Sequence, residues 1–131
     1  MLPPRRPVSV RFRILNVGSS GTVLIERNAI LVASHQQRGR PFPEYPVGSA
    51  ISNALRLQSG AALTAEARFV NPSMDPSEEN IRSGASLLFL FGYVRYRDEA
   101  GVIRETGFGR QFDPEINRFH PLNDPEVEYG D

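Results

Sequence analysis

The chain has 131 residues, no cysteine, and fifteen basic residues, every one an arginine, against fifteen carboxylates. That length suits one domain able to bury most of its apolar surface without disulfides or metals. Without cysteine or lysine, thiolate zinc sites, thiol nucleophiles and Schiff-base chemistry are excluded, and the charge balance removes the bulk attraction a nucleic-acid binder carries, so no nucleic-acid partner is expected.

Taken from the N-terminus, Pro3, Pro4 and Pro7 hold off regular structure, and residues 1–7 read as a tail. In "VSVRFRIL" the apolar Val8, Val10, Phe12 and Ile14 alternate with Ser9, Arg11 and Arg13, the period of a half-buried strand. "NVGSSG", Asn16 to Gly21, collects turn formers, so the chain should reverse there into a second strand, "TVLIERNAILVA". Its polar stretch from Glu26 to Asn28 marks a bulge or a change of face. The β-branched Thr22, Val23, Ile25, Ile30 and Val32 favour strand over the alternative of a continuous helix.

Periodicity then stops. Pro41, Pro43 and Pro46 interrupt a long loop whose aromatics, Phe42 and Tyr45, either pin it to the core or dock a partner. Alternation resumes in "AALTAEARF", where Ala61, Leu63, Ala65, Ala67 and Phe69 share a face, and their small size predicts packing against a bulkier opposing sheet. In "DPSEENIRSG" Asp75 is the expected N-cap, Pro76 the first helical residue, Glu78 the capping-box partner and Gly84 the terminator. Glu78 and Glu79 suit the helix dipole and require no catalytic role.

"LFLFGYVRYRDEAGVIRETGFGRQF", Leu88 to Phe112, poses the main functional question. A three-residue loop with Gly101 in the left-handed conformation places Asp98 opposite Val102 and pairs Arg95 with Glu105, Tyr96 with Arg104, Val94 with Thr106, and Gly92 with Phe108. The charges then become cross-strand partners, Phe108 covers the gap at Gly92, and Asp98 accepts turn amides. An acid–base pair of Asp98 and Glu105 is excluded by their placement on opposite faces of the ribbon. "SLLFLFGYV" is apolar on both faces and should be a central strand.

The rest of the chain carries little chemistry. His35 and His120 are the only histidines and lack a metal-ligand spacing. "NVGSSGTV" lacks the Gly-Lys ending of a phosphate loop, and Ser19 and Ser20 have no nucleophile elbow. Residues 113–131 hold three prolines and six acids against Arg118, and read as an acidic tail anchored by Phe112, Ile116 and Phe119 and mobile beyond Pro121. No apolar run reaches the roughly 18 residues that cross a bilayer, and the first ten residues lack the apolar core of an export signal.

"GYVRYRDEAGVIRETGFGRQF", together with "VRFRILNVGSSGTVLIERNAILVA", resembles a group of bacterial proteins of uncharacterised function in which one or two membrane helices precede a β-sandwich domain. Asn16 and Gly18 match that group's early Asn-x-Gly turn, and Phe91, Gly92, Tyr96, Asp98 and Gly101 match its late hairpin. The similarity spans residues 8–112; the chain departs from the group in lacking the membrane segment and in carrying Gly109 where many of those proteins carry cysteine. The resemblance implies membrane association through a segment not present in this chain, which a start site upstream of Met1 would supply, and it implies no activity.

The expectation is an all-β, immunoglobulin-like antiparallel sandwich over residues 8–112, with one short helix in a connection and tails at 1–7 and 113–131. The expected role is noncatalytic protein contact or assembly with an unknown protein partner, without cofactor, metal or catalytic residue. The alternative is a small-molecule or anion-binding module using Arg95, Arg97 and Arg104 on one sheet face, or the loop bearing Phe42 and Tyr45. The compartment is left open.

Overall fold

The computed structural model describes residues 8–35, 41, 43–69 and 76–130. Among them the chain forms β1 (Ser9–Leu15), β2 (Thr22–His35), β3 (Leu55–Leu57), β4 (Ala62–Phe69), α1 (Glu78–Ser83), β5 (Ser86–Arg97), β6 (Ile103–Asp113), β7 (Arg118–Pro121) and β8 (Tyr129–Gly130). All eight strands belong to one sheet ordered β1-β4-β2-β5-β6-β7, with β3 on β2 and β8 on β6. The sheet is mixed: β2 and β4 run parallel, over Ile30↔Arg68 and Leu31↔Phe69 only, and the other strand pairs are antiparallel.

The β-rich expectation holds, but these residues build one open sheet where two facing sheets were expected. Enclosure comes from curl. Phe12 on β1 and Phe108 on β6 have ring centroids 5.6 Å apart, whereas four strand steps in a flat sheet would separate them by about 19 Å. The 14-residue β2 makes this possible, carrying β3 on its first part, β4 near its end and β5 along most of its length. Ala65 and Ala67 of β4 lie beside Phe12 and Val10 of β1. Their small size thus accommodates bulk within the same sheet, with no second sheet required.

A register slip between Leu24 and Glu26 lies at the edge of the polar stretch where a bulge was expected. It lets Leu24 pack with Leu57 and Val94 while Leu31 packs with Ala67, Leu88 and Leu90, all on the face the curl encloses. Seven residues apart, Leu24 and Leu31 would point to opposite faces of a strand without that extra residue.

β5 lies between β2 and β6 and is buried on both faces, as its composition requires. Leu88, Leu90 and Val94 point to the inner face; Phe89 and Phe91, stacked at 6.0 Å, point outward against Ile30 and Val127. Each phenylalanine is essentially inaccessible, so its burial contributes roughly 1.5–3 kcal/mol.

The local devices fall partly where expected. The β5–β6 register reproduces all four expected pairs, and Gly101 has φ 81°. The Asp98 N–H donates to the Val102 carbonyl at 3.0 Å, and the Asp98 carboxylate accepts from the Val102 N–H at 2.9 Å. Helix α1 ends at Gly84 (φ 81°), but its N-cap is Ser77, whose hydroxyl accepts from the Asn80 N–H at 3.0 Å; the expected cap, Asp75, lies outside the described residues. The turn after β1 is stapled by a side chain: Asn16 Oδ1 accepts from Gly18 N–H, and its amide donates to the Ser20 and Leu57 carbonyls.

The expected acidic tail is largely a structural part of the sheet. β7 pairs with β6 from Arg110↔Pro121 to Asp113↔Arg118, β8 returns to Thr106 and Gly107, and Val127 is buried. Gly107 and Gly109 explain how. The Tyr129 ring occupies the space a side chain at 107 would need, and Val127 with Leu122 does the same at 109. The boundary drawn at residue 112 therefore does not mark the end of the folded unit.

Candidate functional site

Cross-strand neighbours share a sheet face, so the register sorts the candidate arginines. Arg95 lies opposite Glu105 and Glu26 on the outer face, and Arg97 shares its side of β5. Arg104 lies opposite Tyr96 and faces inward. The three guanidinium groups expected to share an anion are thus divided between two faces, and Asp98 and Glu105 are divided with them. Arg95 Nη2 is 3.0 Å from Glu105 Oε1 and its Nη1 is 3.7 Å from Glu26 Oε2; Arg104 Nε donates to Asp98 Oδ2 at 2.9 Å. Arg97 is exposed. The Arg104 bond, followed by the Val102 amide, holds the Asp98 carboxyl below its usual range.

On the outer face the ionic groups form a closing network. The Tyr93 hydroxyl donates to Glu26 at 2.8 Å, the Tyr129 hydroxyl donates to Glu105 at 2.7 Å, and the Tyr45 ring meets Tyr93 edge-on at 5.1 Å. Burial, then the Glu105 bond, pushes the Tyr129 phenol up to about 12. Burial also raises Tyr45 and Tyr93, the latter with help from Glu26. These phenols stay protonated near neutrality, and those of Tyr93 and Tyr129 act as donors. The arrangement fastens the C-terminal segment and the loop of Tyr45 over the sheet.

The inner face is different, because the curl stops short of closing. Among the described residues β1 pairs with β4 alone. Along its free side runs a groove of about 810 Å³, floored by Leu90, Val94 and Phe108 and walled by Phe12 and Ile14. Its volume is in the range of binding clefts. Every residue from Val10 to Gly18 lines it, with inward and outward side chains alike, as expected when a groove follows a backbone edge. At its mouth Val17 is 86% exposed and Leu15 53%. The groove brings Arg11, Arg13, Arg104 and Arg110 together with a single acid, Asp98. Arg104 is paired with Asp98 and Arg110 with Glu128, while Arg11 faces Glu66 and Arg13 faces Thr64 across the β1–β4 ladder.

Of the residues expected to form a binding surface, Arg104 alone lines this groove. Tyr45 packs on the outer-face cluster, and Phe42 lies outside the described residues. Arg11, Arg13, Val17 and Phe108 were readable as strand and turn residues, but nothing in their spacing announces a shared groove. Among the described residues no group of three or more histidines, aspartates and glutamates could hold a metal ion, and no helix is long and apolar enough to cross a membrane. Compared with protein-family models, with curated proteins and with solved structures, the chain matches none.

Proposed function

We propose that this chain is a noncatalytic β domain for protein contact or assembly, and that it works attached to a membrane protein, as in the bacterial group its turn and hairpin motifs resemble. The β1–β4 pair lying over β5 and β6 supports a broad kinship with immunoglobulin-like sandwiches. The observation that carries the contact reading is the groove of about 810 Å³ beside a strand edge that no other described strand covers. A photo-crosslinking residue at Val17, at the groove mouth, tests this against the same residue at Ile116, exposed in the β6–β7 turn. Discrete adducts in the source cells from Val17 and not Ile116, competed by excess purified domain, are expected. Equal labelling from both positions overturns the reading.

The groove's volume and apolar floor favour a second reading, a module for a small amphiphilic anion with Arg104 at its charged end. Titration with octanoate distinguishes the two: saturable resonance shifts at Phe108 and Arg104 support small-molecule binding, and unchanged resonances retire it.

A further inference from the structure

Resting on the contact reading of the groove, we infer that β1 takes an extended segment of a partner protein as an added strand, and that this segment alternates carboxylate with apolar side chains. The phase of the ladder makes the edge competent. The Asn16 N–H donates to the Ala61 carbonyl at 3.0 Å. In an antiparallel ladder main-chain groups alternate in direction. Val10, Phe12 and Ile14, opposite Ala67, Ala65 and Leu63, therefore spend their main-chain groups on β4. Ser9, Arg11, Arg13 and Leu15 turn theirs to the free side. An incoming strand finds a row of donors and acceptors there, the interaction that gives strand addition its affinity.

The side chains then specify the guest. A strand continuing the pleat shares its faces with β1. Its residues beside Phe12 and Ile14 point into the groove over Phe108 and Val94, an apolar floor. Its residues beside Arg11 and Arg13 lie on the opposite, exposed face, where carboxylates complement the guanidinium groups. Arg13 faces Thr64 and has no ion-pair partner among the described residues. The same arginines disfavour a second copy of this chain: antiparallel self-pairing centred on Arg11, Phe12 or Arg13 sets arginine against arginine, and like charges directly opposite destabilise a ladder. Edge charges can also serve only as guards against aggregation, and the test separates that role from recognition.

The probe is acetyl-Glu-Val-Glu-Val-Glu-Val-Glu-amide, added to the isotopically labelled full chain, with the lysine-for-glutamate peptide as its counterpart. The Glu peptide is expected to slow amide exchange at Arg11, Arg13 and Leu15 about tenfold or more, and to bind about tenfold more tightly than the Lys peptide. The double variant Arg11→Glu, Arg13→Glu should reverse that preference. Arg13→Pro removes a free-side donor while sparing the β4 ladder, and should abolish protection at β1. If that variant does not fold, the charge reversal still decides. Equal binding of both peptides, or no protection at β1, overturns strand addition. Shifts at Phe12 and Phe108 without protected β1 amides leave the contact reading standing and remove only this inference, whereas loss of the Val17 crosslink removes the reading beneath it.

Discussion

The two ends of the sheet finish differently. At one end β6 is flanked by β7 and β8, and the C-terminal segment folds back over the outer face, with Tyr129 filling the space beside Gly107 and Val127 that beside Gly109. At the other end β1 pairs on one side only among the described residues and borders an open groove. Closing an edge takes specific investments: glycines that admit a crossing segment, a buried apolar anchor, and charged partners such as Arg110 and Glu128 to hold it. Among the described residues none of these stands along the free side of β1. An edge left in that condition is a liability in a monomer, and it becomes an asset when another chain is meant to occupy it.

The sharpest way to break the contrast is to hollow each side. Phe91→Ala removes a ring with 0% exposure from the closed face, and should cost about 3–5 kcal/mol. Phe12→Ala removes a half-buried ring from the groove wall and should cost roughly half as much, since less surface leaves water on folding. Urea unfolding of both variants decides. An equal loss would mean that Phe12 is core and that the groove is not open in solution.

A second comparison sets two glycines against each other. Gly109→Val thrusts a branched side chain into Val127 and Leu122, and should cost about 1–3 kcal/mol through overpacking. Gly21→Ala meets nothing closer than 3.9 Å and should stay within about 0.5 kcal/mol of the parent. Fluorescence quenching of the tyrosines adds a local readout: in the valine variant Tyr129 should become freely accessible while the hairpin stays folded.

Sequence reads these regions unequally, for physical reasons. The β5–β6 hairpin is legible to the residue because its partners lie close in the chain and one glycine at φ 81° sets the register of the whole ladder. The helix cap is ambiguous because Asp75 and Ser77 both precede the helix by a plausible interval, and Ser77 makes the bond. β3 has three residues, too few to show a period, and is held by the Asn16 amide on the Leu57 carbonyl. The curl and the groove are the least legible. They depend on Phe12 meeting Phe108, residues far apart in sequence, and on how far a 14-residue β2 outruns each of its neighbours. The C-terminal segment's return over the sheet is hidden likewise: Gly107 and Gly109 look like weak points of a strand until Tyr129 and Val127 fill them.

Alkali should loosen the closed end. The Tyr129 phenol is raised from 10.0 to about 12 in the folded chain. Between those values the unfolded chain gives up that proton first, so stability falls as pH rises through this window. Tyr129→Phe removes the titration along with its bond to Glu105, a loss at neutral pH of about 1 kcal/mol or less. Unfolding midpoints of the parent should therefore decline more steeply from pH 10 to 12 than those of the variant. Parallel declines would show that Tyr129 is as accessible when folded as when unfolded, and that the closed end is not closed.

Acid acts on the open end, and its effect should be the smallest. Asp98 lines the groove, bonds Arg104 at 2.9 Å and caps the hairpin turn through the Val102 amide. Its carboxyl is held below 3.8 in the folded chain. Such a group stabilises fully above its unfolded value, and that contribution disappears as pH falls through the depressed folded value. Glu66, lowered chiefly by Arg68, loses its contribution in the same direction, so the acid limb of the parent alone cannot assign the effect. The difference between the parent and Asp98→Asn can. At neutral pH the parent should be the more stable, and the gap should narrow below pH 3.8 and close at lower pH. A gap that persists through acid would mean that the shape of the side chain, and not its charge, holds the turn.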